Sequence, residues 1–221
     1  MSQRTNAIAL RLAVLAALCV TLAGCSGKGP DEVKFVAAVE KVRKKETREI
    51  STKDFPKIND KTLESLKDST DLVRLSLDNA PITDEGLKNL TGLSNLYFLS
   101  LSGTRITDAG LGSLTALPNL EQLLLNNTRV KNAGLQTIAE MPRLKELSLW
   151  KCVITDQGLP YLAPLTNLEH LSLDETLVTD AGLKSLTPLT SLRYLSVWKT
   201  KVTDAGANAL RQTMPNLKIN R

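Results

Sequence analysis

From residue 59 onward the apolar positions of this chain return on a fixed step of 24 residues. The clearest marker is Thr83-Asp84-Glu85-Gly86-Leu87. It recurs as Thr107-Asp108-Ala109-Gly110-Leu111, Lys131-Asn132-Ala133-Gly134-Leu135, Thr155-Asp156-Gln157-Gly158-Leu159, Thr179-Asp180-Ala181-Gly182-Leu183 and Thr203-Asp204-Ala205-Gly206-Ala207. A weaker copy starts at Asn59-Asp60, so about six repeats run from Asn59 to Val202 and a half unit follows. Within each unit the period changes. Leu96 to Leu101 ends in the alternation expected of a short strand with one buried face. Thr107-Asp108 predicts a helix N-cap, because either side-chain oxygen can accept from the free amides of a first turn. Leu111, Leu114, Leu117 and Leu120 then predict one or two helical turns leading to the next strand. Pro118, Pro142 and Pro215 just before that strand, with Pro164 and Pro188 two positions earlier, stop the turns because proline has no amide to give them.

A strand and a short helix alternating at fixed period can bury their leucines only by stacking on the neighbouring unit. The motif "LxxLxLxxTxIT" followed by "DAGLxxLxxL" resembles the leucine-rich repeat family, near its ribonuclease-inhibitor-like and cysteine-containing classes, from Asn59 to about Leu217. The implied fold class is α/β: a right-handed leucine-rich-repeat solenoid, or horseshoe, with a concave parallel β-sheet and short convex helices. Where that family carries Asn or Cys after the strand, this chain has Thr104, Thr128, Thr176 and Thr200, with Ala80 and Cys152 once each. Cys152 is accordingly expected as a buried spine residue and not a nucleophile.

The ends of a solenoid need covers. Residues 31–58 read as a helical cap and a degenerate first repeat ahead of the solenoid at 59–221. Pro30 to Glu49 carries Val33, Val36, Val39 and Val42 on one helical stripe with Phe35 beside it. Its basic side, Lys41, Arg43, Lys44, Lys45 and Arg48, is interrupted by Glu40, Glu46 and Glu49; it is either a solvated face or a surface drawn to anionic lipid. Ile50 to Ile58 predicts a first strand and turn, and Leu217-Lys218-Ile219 a last edge strand.

The first 24 residues read as an export signal. Arg4 and Arg11 precede a short apolar run, Leu12 to Val20, and the Leu22-Ala23-Gly24-Cys25 that follows resembles the lipobox of bacterial lipoproteins. That resemblance implies a lipidated Cys25 as first mature residue, with 25–30 as a tether. A cleaved secretory signal and an uncleaved anchor are the other readings. Ser26 in place of an aspartate implies delivery to an outer membrane, with the side it faces left open. Without Arg4 and Arg11 the 28 basic residues become 26 against 23 acidic ones, a charge of +3, too mild to argue for nucleic acid.

In each strand the leucines of "LxL" point inward and the alternate positions outward. The first outward column is Arg74, Phe98, Gln122, Glu146, His170 and Tyr194; the second is Ser76, Ser100, Leu124, Ser148, Ser172 and Ser196; the third is Asp78, Ser102, Asn126, Trp150, Asp174 and Trp198. Trp150 and Trp198, two strands apart, are expected to leave a gap for a flat group with Asp174 between them. Glu146, His170 and Tyr194 are expected as neighbours, Lys151, Glu175 and Lys199 as the next row, and Phe98, Leu124 and Trp150 as an apolar diagonal. Four of the eight aromatic residues fall on this face. Aromatic anchors on a rigid concave surface predict recognition of a protein or peptide, with an envelope glycan as second choice; the competing reading is plain sheet decoration on a structural envelope component without a focused site. The membrane enters as a partner only through the lipid.

Catalysis is not expected. His170, Ser172 and Asp174 share one strand, yet their order puts the serine, not the imidazole, in the middle, and no oxyanion hole is in prospect. One histidine and scattered aspartates predict no metal site, and the glycines, in solenoid register, no phosphate loop or cofactor.

Overall fold

A computed structural model describes residues 29–221; the signal segment and Cys25 lie outside the described residues. Eight three-residue strands form one parallel sheet in strict chain order. They are β1 (Glu49–Ser51), β2 (Arg74–Ser76), β3 (Phe98–Ser100), β4 (Gln122–Leu124), β5 (Glu146–Ser148), β6 (His170–Ser172), β7 (Tyr194–Ser196) and β8 (Lys218–Asn220). From β2 onward each residue pairs with the one 24 positions later, as Leu75 with Leu99 and Leu171 with Leu195. This is the expected leucine-rich-repeat solenoid.

Strands β2 to β7 each centre on a leucine with essentially no exposure, β1 on Ile50 and β8 on the half-buried Ile219, and Leu77, Leu101, Leu125, Leu149 and Leu173 follow into the same interior. Every such side chain gains roughly 1.5–3 kcal/mol from burial, but only because the adjoining turns cover it. Beside the leucines runs a polar spine. The hydroxyls of Thr104, Thr128, Thr176 and Thr200 donate to the carbonyls of Leu101, Leu125, Leu173 and Val197 at 2.6–2.7 Å. Cys152 fills the same rung, donating to the Leu125 carbonyl at 3.1 Å. Burial pushes its thiol up from the ordinary value, so it stays protonated.

The convex elements are short and mix α and 3-10 form, the latter running through Asp108–Ala116. The three-residue spacing of Leu111, Leu114 and Leu117 matches the three residues per turn of that helix. Thr107 and Thr179 cap their own helices, their hydroxyls accepting from Ala109 and Ala181. The neighbouring aspartates do something else. Asp60, Asp84, Asp108, Asn132, Asp156 and Asp180 each accept the backbone amide 23 residues later, at 2.7–2.9 Å. In four of these clasps the carboxylate's second oxygen also takes the threonine hydroxyl of that later residue. The repeated glycine follows from this: a Cβ on Gly182 would lie 2.3 Å from Asp156 Oδ1, and the other five glycines of that register meet the same obstacle.

The N-terminal cap is the helix α1 (Pro30–Arg43), shorter than the expected run to Glu49 because the chain turns through Lys45, at φ 59°, and Glu49 enters β1. The buried stripe is also shifted. Phe35, Val39 and Val42 face the core, while Val33 and Val36 are only half-buried. Phe35 meets Phe55 edge-on at 5.3 Å, and the Arg43 guanidinium donates to the carbonyls of Ser65 and Lys67, pinning the cap to the first repeat. Part of the basic side is therefore structural. No helix of the described residues is long and apolar enough to cross a membrane.

Replacing Asp156 by alanine removes acceptors from both the amide and the hydroxyl of Thr179 and should destabilise the fold by about 2–3 kcal/mol. Urea unfolding measures this; a change under about 0.5 kcal/mol would show that the clasp is dispensable.

Candidate functional site

The parallel register turns the outward positions into straight columns. Arg74, Phe98, Gln122, Glu146, His170 and Tyr194 are paired strand to strand and continue into Lys218; the serine column continues into Asn220. The third column lies just past the strand ends and alternates. Asp78, Asn126 and Asp174 occupy every second turn. Each accepts from the next turn: Ser102 donates its amide to Asp78 at 3.0 Å, Trp150 to Asn126 at 3.1 Å and Trp198 to Asp174 at 2.6 Å. Between them stand Ser102, Trp150 and Trp198. The tryptophans thus occupy turns where the column has no clasp to supply, and large side chains fit there.

This revises the role expected of Asp174. Its Oδ1 accepts from Ser196 and from the Trp198 amide, and its Oδ2 accepts from Ser172 at 3.1 Å, so the carboxylate is used internally. Ser148 likewise spends its proton on Asn126. Three consecutive serines therefore have their protons directed to Asx side chains, and the sheet floor they form presents acceptor lone pairs. The proton of Ser172 goes to Asp174, and the His170 ring lies stacked on Tyr194, 4.6 Å between centroids and 14° between planes. Serine, histidine and aspartate do not form a relay.

Over this floor lies a groove of about 670 Å³ spanning β4 to β8. Leu124 and Asn126 close one end and Lys218 and Asn220 the other, with Glu146, His170 and Tyr194 along one side. Two of these side chains lean apart. Glu146 accepts from Gln122 at 3.0 Å, towards β4, whereas His170 stacks towards β7, where Lys218 Nζ covers the far side of Tyr194 at 5.2 Å. Glu146 and His170 are cross-strand neighbours with their partners on opposite sides, and both line the groove together with Ser148 and Ser172. Asn126, Lys218 and Asn220 were missed in the sequence. Extending the 24-residue columns by one turn finds Lys218 and Asn220.

Neither tryptophan lines the groove. Lys151 Nζ sits 4.5 Å over the Trp150 ring and Lys199 Nζ 4.0 Å over that of Trp198, and both lysines approach Glu175, at 3.7 and 3.5 Å. The expected gap between the rings is spanned by this Lys151–Glu175–Lys199 ladder. Phe98 lies under the Arg74 guanidinium at 4.0 Å. Of the expected apolar diagonal, only Leu124 lines the groove. Partial burial pushes the Glu175 carboxyl up, but the Trp150 indole N–H, Lys151 and Lys199 together outweigh it and hold the group below its ordinary value of 4.5. Asp180, in its clasp, is held below 3.8 by the hydroxyl and amide of Thr203.

A family model described as Leucine Rich repeat matches residues 68–90. Among solved structures, internalin C2 from Listeria monocytogenes is similar in fold, with a TM-score of 0.66 at 24% identity over 86% of this chain and 81% of that one. Another internalin from Listeria monocytogenes matches at 19% identity over 72% of this chain and 56% of its own, with a TM-score of 0.43, too low to bear on the fold. No curated protein matches the sequence.

Glu175 and Asp180 bind protons more weakly folded than unfolded. Their contributions to stability are present above the unfolded values and lost as pH falls through the folded ones. Stability should therefore be level near neutral pH and decline below pH 4.5. Glu175→Gln should flatten part of that decline in urea unfolding between about pH 3 and pH 7; an unchanged acid limb would show that Glu175 is not held by its neighbours.

Proposed function

We propose that this leucine-rich-repeat protein is a recognition module of a bacterial envelope, tethered through a lipidated Cys25, which takes a polypeptide segment into the groove over β4 to β8. Solenoids present just such extended surfaces for binding. The observation that carries the reading is that Glu146 and His170 stand side by side in the groove with Ser148 and Ser172, and we take the niche between these four as the site. Its floor accepts hydrogen bonds, one wall is a carboxylate and the other an open ring. An arginine side chain satisfies all three: it donates in several directions, pairs with a carboxylate and stacks on a flat ring. Leu124 and Tyr194 supply apolar surface on either side for the residues flanking that arginine. Trp150, Trp198, Lys151 and Lys199 border the groove, and Phe98 stands beyond its end.

A floor of acceptors beside exposed ring edges also suits the hydroxyls of an envelope glycan, which is the second reading. The lipid tether rests on the lipobox-like Leu22-Ala23-Gly24-Cys25 and on the short Ser26-Gly27-Lys28-Gly29 that follows.

Two experiments test these statements. A photo-crosslinking residue at Leu124 of the full-length protein, in the native envelope, should give a discrete polypeptide adduct, at least tenfold weaker when Glu146 is changed to lysine. The same residue at Gln136, on the convex side, should give none. An adduct indifferent to Glu146→Lys sinks the niche, and a saccharide adduct moves the weight to the glycan. Separately, Cys25→Ser should shift the protein from the detergent phase to the aqueous phase on partition; retention in detergent would rule out the lipid tether.

A further inference from the structure

Past the third column the chain takes one more extended stretch before the convex helix. Cys152 and Ile154 point inward there while Lys151 and Val153 point outward, and the next two turns alternate in the same way. Backbone bonds from Leu177 to Ile154 and from Lys201 to Val178 hold successive turns in a second ladder along the lateral edge of the solenoid. This edge carries two columns: Asn79, Gly103, Asn127, Lys151, Glu175 and Lys199, and beside them Pro81, Arg105, Arg129, Val153, Leu177 and Lys201.

Every residue of the first column is left-handed, with φ between 52° and 70°. Amides of this column donate to the following turn, as Asn127 does to the Trp150 carbonyl and Lys151 to that of Asp174, so the backbone imposes the conformation. Asn79, Gly103 and Asn127 adopt it cheaply. Lys151, Glu175 and Lys199 do not. The ladder bonds need no charge at these positions, since asparagine and glycine make them equally well in the earlier turns. The ion pairs that Lys151 and Lys199 make with Glu175, and their contacts with the Trp150 and Trp198 rings, offset part of that cost and put more on this edge than its backbone ladder requires.

The second column makes the same point by burial. Val153 is 50% exposed and Leu177 49%, on adjoining turns about 5 Å apart. Around this apolar centre stand Arg105, Arg129, Lys131, Lys151, Lys199 and Lys201, all exposed, against the carboxylate of Glu175 and those of Asp108, Asp156 and Asp180, which are engaged in the convex clasps. None of these residues lines the groove. We propose that this lateral edge is a second docking surface, for an acidic polypeptide segment whose aliphatic or aromatic side chains cover Val153 and Leu177. The cationic rim complements the acidic charge, and the exposed pair supplies the apolar contact. Glu175, set between two lysines at the centre, favours a polypeptide with ordered charges over a uniformly anionic lipid surface.

The test is selection of random twelve-residue displayed peptides on the full-length protein, followed by binding of the synthesised winners. The enriched peptides should combine Asp or Glu with Leu, Ile, Phe or Trp. They should lose at least tenfold in affinity against Val153→Asp/Leu177→Asp and change less than twofold against Tyr194→Ala, which alters the groove instead. Lys151→Asn/Lys199→Asn should weaken them at least threefold, because two cations leave the rim; unchanged affinity overturns the charge complementarity. No enrichment, a neutral or basic consensus, or affinity unchanged in the Val153/Leu177 variant overturns the surface. Binding to vesicles containing anionic phospholipid that the same variant abolishes, without effect on the peptides, assigns the edge to a membrane instead.

Discussion

The bond that the rest of this structure depends on is a carboxylate or amide oxygen of one turn accepting the backbone amide of the next, repeated from Asp60 to Asp180 on the convex side. Leucine burial supplies the driving force but is non-directional, and by itself tolerates small slips between turns. The clasps fix the step. Each requires an Asx residue in one turn and, in the next, an amide 23 positions on and a glycine 26 positions on, so one Asp-x-Gly signature serves two successive clasps. With the step fixed, side chains 24 residues apart stand in line, and everything on the sheet face inherits that alignment.

On the sheet side the same device is used at half the frequency. Asp78, Asn126 and Asp174 clasp alternate turns, which releases the side chains at positions 102, 150 and 198 from clasping. The chain fills two of the released positions with its only tryptophans. The clasping residues also draw the serine protons sideways, leaving a floor of acceptors beneath Glu146 and His170. Structural bonding and the chemistry offered to a partner are thus two aspects of one hydrogen-bond network. A substitution at Asn126 or Asp174 would disturb both.

The two faces proposed for binding lie in the same C-terminal turns and differ in character. The groove is walled by a carboxylate and stacked rings, and suits donors; the lateral edge is rimmed by cations around exposed aliphatics, and suits an acidic chain. Turns one to three carry Asn79, Gly103 and Asn127 along the edge, and Arg74 over Phe98 on the sheet, an arrangement that meets the needs of the fold with little left over. The asymmetry along an otherwise regular solenoid is what locates the sites.

How much of this was legible in the sequence divides along physical lines. The solenoid and its columns were, because a period of 24 and the two-residue alternation of a strand are properties of local backbone geometry, as the pairing of Leu75 with Leu99 shows. The limits of α1 were less so: Val33 and Val36 keep helical spacing with the buried residues, and only docking against Phe55 and the first repeat selects Phe35, Val39 and Val42. The destinations of the polar side chains were legible only in part: Thr107 caps its own helix as expected. Asp108 reads as a cap of its own helix but bonds Lys131, Asp174 reads as a ligand for a partner but serves Ser196 and Trp198, and Trp150 reads as one wall of a slot but lies beneath Lys151. By itself the sequence determined the repeat, its register and which residues face outward, since these follow from short-range periodicity. The tertiary structure alone decided which outward groups are consumed by the neighbouring turn and which remain open, because those bonds join residues 22 to 24 positions apart and exist only once the turns are stacked.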